Sequence, residues 1–324
     1  MSTMQAVVRE RYGSPDVLEL REVARPEAAG DQVLVRVCAS SVNIADWYTM
    51  AGRPWFSRAF TGLTKPRSAA LGADFAGVVE AAGSDVAGLA PGDEVFGWRT
   101  GAFAQYVATA VVERKPAGLS FEEAAAIPIA GLTALQGLRD HGAVQEGRRV
   151  LVNGASGGVG TFAVQIAKAL GATVTAVCST SHVELAEQLG ADRVVDYTRE
   201  DFTRSGERYD VLFDSAGNRS WRAMCRVLTP AATVVLVGGP SSKRFLGPVG
   251  HLARVKLQAS LSRRRTPFFI ASPNRADLAA LRELVESGRV RPVVERRYEL
   301  AALSEAMRYM GEGHAHGKVA VTVA

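Results

Sequence analysis

A glycine-rich stretch between a strand-like run and a helix-like run most constrains how this chain can fold. Asn153 to Gly160 read NGASGGVG, preceded by the apolar run RRVLVN and followed by a helical pattern. In the dinucleotide-binding pattern G-x-G-x-x-G, the first glycine makes the turn, the second lets a pyrophosphate approach the backbone, and the third allows close helix packing. These places fall on Ala155, Gly157 and Gly160. Only the turn-making position is changed, and alanine fits there if its φ stays negative, so the loop predicts dinucleotide binding at a helix N-terminus.

The pattern around this loop predicts a doubly wound α/β fold. From Arg149 onward, apolar strand candidates alternate with helical patterns, as in ATVTAVCS, HVELAEQLG and YDVLFDSAG. Near-continuous apolar strands separated by helices are typical of a parallel sheet covered on both faces. We therefore predict a Rossmann-type doubly wound parallel sheet, with the run PFFIAS at 267–272 as its last strand.

The residues before the loop follow a different pattern. Residues 1–120 contain short β-rich pieces divided by Gly, Pro and Asp turns, which predicts a compact mixed-β domain. Ser120 followed by Glu123 has the spacing of a capping box, so a helix and a new domain are expected to start there. The nucleotide-binding domain is predicted over 121–273, and 274–324, which ends in GKVAVTVA, is predicted to return to the first domain.

Composition narrows the class of protein. The chain has 324 residues, 47% of them hydrophobic, which is enough for a sizeable core. Its three cysteines are dispersed, as expected in a reducing compartment without disulfides. The N-terminus lacks a signal-like core, and no apolar run reaches the roughly 18 residues of a membrane-spanning helix, so a cytoplasmic location is expected.

A net charge of +5 weakly favours anionic partners. No nucleic-acid-binding motif accompanies it, so no nucleic-acid partner is expected. Val249 to Leu261, within the basic segment 249–265, is interpreted as a helix packed beside the active-site cleft. Peripheral membrane contact of this helix is the alternative.

The end of the second strand predicts which dinucleotide binds. An acid roughly 20 residues after the first glycine position would bond the ribose hydroxyls and repel a 2′-phosphate. The sequence there is Ser179, Thr180, Ser181 and His182, with three hydroxyl donors and no carboxylate. This favours NADPH over NADH. Tyr197 is interpreted either as packing near the adenosine phosphate or as a core tyrosine.

Several segments together resemble the zinc-independent quinone oxidoreductase branch of the medium-chain dehydrogenase/reductase superfamily. They include VLVRVCASSVNIADWY and LGADFAGVVEAAGSDVAGLAPGDEVFG, the middle segments IAGLTALQGL and VLVNGASGGVGTFAVQIAKALGA, and HAHGKVAVTV. The resemblance implies a GroES-like catalytic domain, a Rossmann domain, a cleft between them and a homodimer. It also implies NADPH-dependent reduction of a small-molecule quinone or α,β-unsaturated carbonyl.

The resemblance also bears on metal binding. Zinc-dependent relatives carry Cys where Asn43 stands and a His-Glu pair where Ala73 and Asp74 stand. Catalytic zinc needs about three N, S or O ligands. The dispersed cysteines and histidines offer no such set, and His314 and His316 make at most a chance pair. No metal is predicted, and zinc-alkoxide chemistry is not expected.

Candidate catalytic residues lie in VNIADWY, where the family has its active-site residues. Asn43 would offer its amide to the nicotinamide or the substrate, and Tyr48 its hydroxyl to the substrate oxygen. Asp46 is interpreted as structural, holding the loop, or as a cleft residue. Trp47 is expected to pack, and MAGRPWFS to form an apolar wall. No side chain is predicted as an obligatory general acid, because solvent can protonate the product.

Cofactor contacts are predicted from the loop and, beyond it, from the resemblance. The family's contacts fall on Thr133, on the backbone near Ser215 to Gly217 and Gly238 to Gly239, and on Lys318. Lys318 would reach a phosphate or ribose, or it is simply an exposed lysine. The full predicted set is Thr133, Ala155, Ser156, Gly157, Gly158, Val159, Gly160, Ser179, Thr180, Ser181, His182, Tyr197, Ser215, Ala216, Gly217, Gly238, Gly239 and Lys318.

Three functional hypotheses follow. The leading one is an NADPH-dependent reductase that transfers hydride to a quinone or enone without a metal, since the cofactor carries the difficult chemistry. An enoyl-thioester reductase is an alternative, and it would need a long tunnel and basic residues for a carrier phosphate. A low-turnover NADPH-binding sensor or binding protein is the other, and it would keep Gly157 and Gly160 without needing Asn43 or Tyr48.

Overall fold

The computed structural model describes residues 2–238, 253, 255–259, 262, 264–267, 269–313 and 315–323. The chain divides into two compact units. Unit 1 comprises Met1–Ala130, Pro273–Glu286 and Pro292–Ala324, and unit 2 comprises Gly131–Ser272 and Ser287–Arg291. The predicted cofactor residue Gly239, and also His314, lie outside the described residues.

The described residues contain these regular elements. The strands are β1 (Thr3–Val8), β2 (Glu19–Ala24), β3 (Val33–Val42), β4 (Asp74–Ala82), β5 (Glu94–Trp98), β6 (Tyr106–Thr109), β7 (Val112–Arg114), β8 (Arg149–Asn153), β9 (Thr173–Cys178), β10 (Arg193–Asp196), β11 (Tyr209–Asp214), β12 (Leu228–Leu236), β13 (Val294–Glu299) and β14 (Lys318–Thr322). The α-helices are α1 (Ile44–Ala51), α2 (Arg58–Thr61), α3 (Phe121–Ala125), α4 (Pro128–Gln136), α5 (Gly158–Ala169), α6 (Val183–Gln188), α7 (Trp221–Met224), α8 (Arg275–Glu286) and α9 (Leu303–Glu312).

Unit 1 is built on a seven-stranded mixed sheet in the order β13-β14-β3-β4-β5-β7, with β6 also paired to β3. The long strand β3 is buried at every position except Arg36 and Cys38, and it packs Val33, Val35 and Val37 into a core with Phe75. β14 pairs antiparallel with β3, so the strands β13 and β14 of the segment 274–324 belong to this sheet, whereas Ser287–Arg291 belongs to unit 2. A separate antiparallel pair, β1 and β2, completes the strands of this unit.

Unit 1 extends past the predicted boundary at residue 120, because α3 packs on β3 and β4. The predicted capping box is present: the Glu123 amide donates to the Ser120 hydroxyl at 3.2 Å, and the Ser120 amide donates to the Glu123 carboxylate at 2.9 Å. The pair satisfies two N–H groups that the helix cannot. It starts a helix of unit 1, whose first segment ends at Ala130.

Unit 2 is built on a five-stranded parallel sheet in the order β10-β9-β8-β11-β12. The central strand β8 buries Val150, Leu151 and Val152 completely, as the continuous apolar run requires when both faces are covered. The predicted fold class, a Rossmann-type sheet with a mixed-β domain, is confirmed.

The predicted last strand of this sheet is wrong for its described residues. Residues 267 and 269–272 form no strand, and only Arg265 makes an isolated bridge, to Thr233. Phe269 instead stacks on His141 with ring centroids 4.2 Å apart. Side-chain packing on the helical turn 137–141 therefore takes the place of strand pairing.

The predicted helix Val249 to Leu261 lies largely outside the described residues. Within it, 255–259 are helical, with Val255 and Ala259 buried and Leu257 exposed. This burial fits the interpretation of a packed helix. Among the described residues, none of the helices has the length and apolar content to cross a membrane. All three cysteines are free thiols.

Candidate functional site

The glycine-rich loop turns at a different residue from the predicted one. Gly154 has a φ of +88°, a value that favours glycine, and a side chain there would overlap the Ser215 hydroxyl. Ala155 is buried, its φ is not positive, and its amide donates to the Val177 carbonyl at 3.0 Å. The turn-making glycine is therefore present, one position earlier than the pattern assigns it, and Ala155 needs no unusual conformation.

The next two glycines fit their predicted geometry. Gly157 is the N-cap of α5, no side chain caps this helix, and a Cβ atom added to Gly157 would come no nearer than 3.6 Å to the Gly154 oxygen. A Cβ atom at Gly160 would overlap that same oxygen. The space beside Gly157 is thus open, whereas Gly160 is required for the loop to touch the helix. Gly158 and Val159 lie between them and Ser156 directly before them, all three half-buried.

The carboxyl ends of β8, β11 and β12 meet beside this loop. The Ser215 hydroxyl donates to the Asn153 carbonyl at 2.9 Å, and the amide of Gly217 donates to the Asp214 carboxylate at 2.9 Å. A Cβ atom at Gly238 would overlap the Ser215 carbonyl. The structure therefore brings Ser215, Ala216, Gly217 and Gly238 to one edge of the parallel sheet, where ligands of open α/β sheets bind. Thr133 lies in α4, half-buried.

The predicted hydroxyl cluster after β9 forms, but a carboxylate joins it. Ser179 and Ser181 both lie within 3.0 Å of His182 Nδ1. The Thr180 hydroxyl donates to Asp196 Oδ2 at 2.5 Å, and this hydrogen bond holds the pKa of the Asp196 carboxyl below its ordinary value. Asp196 ends β10, the neighbouring strand, so counting residues along β9 could not find it.

A cavity of about 400 Å³ opens beside Thr180. Its lining includes Asp196 and Arg199, whose Nε atom lies 3.4 Å from Asp196 Oδ2. No arginine is adjacent to these hydroxyls in the sequence. Arg199 lines the same cavity as Thr180 because it closely follows β10, which pairs with β9. Tyr197 is exposed, so of its two interpretations the core tyrosine is wrong.

Unit 1 contains a buried polar cluster around the predicted catalytic residue Asn43. Lys318 Nζ donates to Asn43 Oδ1 at 2.6 Å, and Asn43 Nδ2 donates to Asp74 Oδ2 at 2.8 Å. Lys318 also pairs with Asp74 at 3.2 Å. The two bonds leave the Asn43 amide a single orientation, with one Nδ2 hydrogen remaining.

Asp74 is the hub of this cluster and was missed from the sequence. Its Oδ2 accepts from the Ser41 hydroxyl at 2.7 Å in addition to Asn43 and Lys318, and its Oδ1 accepts from the Ile129 amide at 2.9 Å. The side chain is fully buried. The available signal is a charged residue at the start of the apolar strand DFAGVV. Lys318 is buried too, so the interpretation as an exposed lysine is wrong.

Asp46 belongs to the same cluster through the backbone. Its carboxylate accepts the Asn43 amide at 2.8 Å, which holds the loop entering α1. Burial raises the pKa of the Asp46 carboxyl to about 7, and the charge of Asp74 adds to the rise, while the Asn43 amide and Lys318 oppose it. The structure thus gives Asp46 the loop-holding role, and its carboxyl changes charge near neutral pH.

The aromatic residues in and after α1 differ in how deeply they are buried. Tyr48 is half-buried, and burial raises the pKa of its phenol, so the hydroxyl keeps its proton. No hydrogen bond among the described residues joins this hydroxyl to Asn43. Trp47 packs as predicted, against the core of unit 1 and directly on Gly311. Trp55 and Phe56, by contrast, are exposed.

Metal ligands are sparse in the part of the chain that the structure describes. No group there of three or more His, Cys, Asp or Glu side chains could hold a metal ion. At the positions named for zinc ligation, Asn43 and Asp74 are engaged with each other and with Lys318. The absence of a metal from the mechanism stays a prediction.

Two family models match the chain. One, described as alcohol dehydrogenase GroES-like domain, covers residues 29–119. The other, described as zinc-binding dehydrogenase, covers 189–321. The first lies within unit 1, and the second includes strands of both units.

Characterised proteins resemble the chain over nearly its whole length. The 2-methylene-furan-3-one reductase of Solanum lycopersicum is 35% identical, over 99% of this chain and 79% of its own. The chloroplastic NADPH-dependent alkenal/one oxidoreductase of Arabidopsis thaliana is 34% identical, over 98% and 79%. The structure of the quinone oxidoreductase from Coxiella burnetii superposes with a TM-score of 0.84 at 29% identity, covering all of both chains.

Proposed function

The chain belongs to the quinone oxidoreductase branch of the medium-chain dehydrogenase/reductase superfamily, and we propose that it is an NADPH-dependent reductase of quinones or α,β-unsaturated carbonyls. The names of its relatives describe reactions on an enone, an alkenal and a quinone. The observation that carries the proposal is the fixed amide of Asn43, which stands where a zinc ligand would stand and presents a hydrogen-bond donor instead.

The residues of the glycine-rich loop fit a dinucleotide. The first N–H groups of α5 have no partner within the helix, and the space beside Gly157 is open to a pyrophosphate. Gly157 to Gly160 would hold the phosphates, with Ser215 and Gly238 at the adjoining strand ends. When bound, the cofactor supplies hydride to an electrophilic carbon.

NADPH rather than NADH is the proposed cofactor. The hydroxyls of Ser179, Thr180 and Ser181 and the guanidinium of Arg199 can all donate to a 2′-phosphate. Asp196 acts against this preference, because its ionised carboxylate lies among these donors. The preference therefore depends on whether the donors outweigh one negative charge.

Asn43 is proposed to bind the carbonyl oxygen of the substrate. A donor aimed at an oxygen that becomes negative stabilises the transition state more than the ground state. Lys318 and Asp74 fix the amide orientation before substrate arrives, so little reorganisation is needed. They act as positioning residues in this scheme.

Tyr48 is proposed as a second donor to the same oxygen. Its raised pKa keeps the phenol protonated across the physiological range, which a donor requires. The proton that completes the reduction comes from water, to the α-carbon of an enone or to the oxygen of a quinone. Asp46 keeps the Asn43 backbone in place and is not required to transfer a proton.

We further propose that the reaction needs no metal, that the protein is a homodimer and that it is cytoplasmic. The donor set around Asn43 supports the first of these, since an amide and a paired carboxylate replace the nitrogen and sulfur ligands of catalytic zinc. The dimer is supported by family resemblance. The location is supported by dispersed free thiols.

The test is the oxidation of reduced cofactor, followed at 340 nm with NADPH and NADH in parallel. Acceptors are 9,10-phenanthrenequinone, a benzoquinone, an alkyl vinyl ketone and crotonyl thioester, the last testing enoyl-thioester reduction. Turnover with NADPH on quinone or enone is expected, unaffected by chelators. Binding of NADPH without turnover on any acceptor would instead favour the sensor or binding protein. Full activity of an Asn43→Ala, Tyr48→Phe double variant would show that other residues bind the oxygen.

A further inference from the structure

Four exposed apolar side chains are concentrated in the short segment 53–67 of unit 1. Trp55 is 62% exposed, Phe56 48%, Phe60 78% and Leu63 73%. They are four of the nine large apolar side chains exposed among the described residues, and they occupy only nine successive positions. Such concentration marks a binding surface rather than chance exposure. We call it the 53–67 surface.

The backbone that carries these side chains is well tied. The turn Trp55–Ser57 runs directly into α2, where the Thr61 hydroxyl donates to the Ser57 carbonyl at 3.2 Å. The Tyr12 hydroxyl, from outside the segment, donates to the Gly62 carbonyl at 2.9 Å. The Arg67 amide closes the loop by donating to the Thr61 carbonyl at 2.8 Å. The apolar side chains are therefore held outward by an ordered backbone.

The same segment is purely cationic. It carries Arg53, Arg58, Lys65 and Arg67, and no Asp or Glu occurs anywhere from 47 to 73. None of the four makes an ion pair with a residue the structure describes, and Arg58 Nε donates to the Gly52 carbonyl at 3.0 Å. The guanidinium of Arg58 also lies 4.8 Å from the Trp55 ring centroid. The segment thus carries four positive charges together with its exposed apolar side chains, and no acid that the structure describes neutralises them.

We propose that the 53–67 surface docks on anionic phospholipid bilayers. Exposed Trp, Phe and Leu side chains enter the boundary between headgroups and acyl chains, and surrounding Lys and Arg side chains pair with lipid phosphates. A protein partner would have to place acidic side chains at fixed positions opposite these cations. An anionic bilayer offers both an apolar interior for the exposed aromatic side chains and phosphates for the cations. A bilayer also concentrates apolar quinones and enones, and this last point alone rests on the proposed function.

The test is co-sedimentation of the whole protein with vesicles of phosphatidylcholine, alone or mixed with phosphatidylglycerol. Binding to the mixed vesicles, little binding to phosphatidylcholine alone, and release by salt are expected. Equal binding to both vesicles, or none to the anionic ones, would overturn the proposal. The alternative is that a second copy of the chain covers this surface. Light scattering without vesicles tests it, because the variants described below would then differ in mass from the wild type.

Two variants locate the contact. Phe60→Ser is expected to weaken vesicle binding at least about tenfold, and Lys65→Gln about fivefold. Ile270→Ser, which replaces a side chain 83% exposed in unit 2, and Arg222→Gln, in α7, are the matched controls and should bind as the wild type does. Undiminished binding by both surface variants would contradict the proposal. Their turnover of a water-soluble quinone separates this result from a failure of the proposed reaction.

Discussion

Lys318 Nζ lies 2.6 Å from Asn43 Oδ1 and 3.2 Å from Asp74 Oδ2, and the side chains of Lys318 and Asp74 are buried. A buried ion pair is costly to break from one side, because the remaining charge is left without compensation. Asp74→Asn is therefore expected to lower the free energy of unfolding by about 3 to 5 kcal/mol, measured by chemical denaturation. Adding Lys318→Met should recover part of the loss.

Glu10→Gln is the control for this pair, since Glu10 and Arg21 form an ion pair on the surface. Its expected effect is under about 1 kcal/mol. A small effect of Asp74→Asn would mean that the buried pair contributes nothing to folding. Where the variant folds, a drop of roughly 100-fold in kcat without weaker cofactor binding is expected from a misplaced amide.

The second prediction concerns the pH dependence that Asp46 imposes on stability. Burial raises its pKa from 3.8 to about 7, so the folded protein holds a proton that the unfolded chain has lost. A carboxyl of this kind stabilises most at low pH, and its contribution disappears as the pH rises through that interval. Relative to Asp46→Asn, the wild type should lose roughly 2 kcal/mol between about pH 5 and pH 7.

Denaturant titrations of both proteins across this range check the prediction. The amide of Asp46→Asn keeps an oxygen to accept the Asn43 amide, so the loop contact survives in the variant. Parallel pH profiles of the two proteins would show that Asp46 is ionised throughout. Asp16→Asn, at an exposed carboxyl whose pKa is lowered by Arg308, provides a comparison that should not show this trend.

The third prediction separates two glycines of one loop. Gly160→Ala forces a Cβ atom onto the Gly154 carbonyl and is expected to destabilise unit 2, seen as a lower Tm. Gly157→Ala meets open space, so its stability should change by less than about 1 kcal/mol. It should nevertheless weaken NADPH binding, measured by fluorescence titration. Normal NADPH binding by Gly157→Ala would place the pyrophosphate elsewhere.

The fourth prediction concerns the choice of cofactor. Arg199→Gln should raise the KM for NADPH about fivefold and leave that for NADH unchanged, because only NADPH carries a 2′-phosphate. Asp196→Asn should shift the preference towards NADPH by removing a negative charge from the same group of donors. Arg204→Gln is a matched control, since Arg204 faces Asp201 across the same i, i+3 spacing. Equal KM changes for both cofactors in Arg199→Gln would remove this residue from the phosphate site.

Local sequence patterns were sufficient to predict those features that depend on residues close together in the chain. The capping box at Ser120 and Glu123 formed because its partners are three residues apart. The open space beside Gly157 and the close packing at Gly160 agree with a pattern that spans one turn, while phosphate contact at Gly157 stays a prediction. Within that pattern, only the turn glycine was assigned to the wrong position.

Contacts between strands that are far apart in the chain could not be predicted from the sequence. Asp74 meets Lys318 because β4 and β14 both lie beside β3, and no spacing rule predicts that pairing. Asp196 reaches Thr180 for the same reason, across β9 and β10. Asp74 and Asp196, the two residues that were not predicted, are both charged residues at strand ends. Such residues determine the electrostatics of the candidate site.

The pairing of β14 with β3 sets an order of events during synthesis. Asn43 and Lys318 are separated by 275 residues, and every strand of the parallel sheet is translated between them. A nascent chain therefore lacks the Lys318 partner of Asp74 while the ribosome is still making unit 2, whose strands are consecutive and can assemble first. Lys318, which completes the Asn43 cluster, is translated last, so a nascent chain that ends before β14 contains every strand of the parallel sheet but can hold the Asn43 amide only through Asp74.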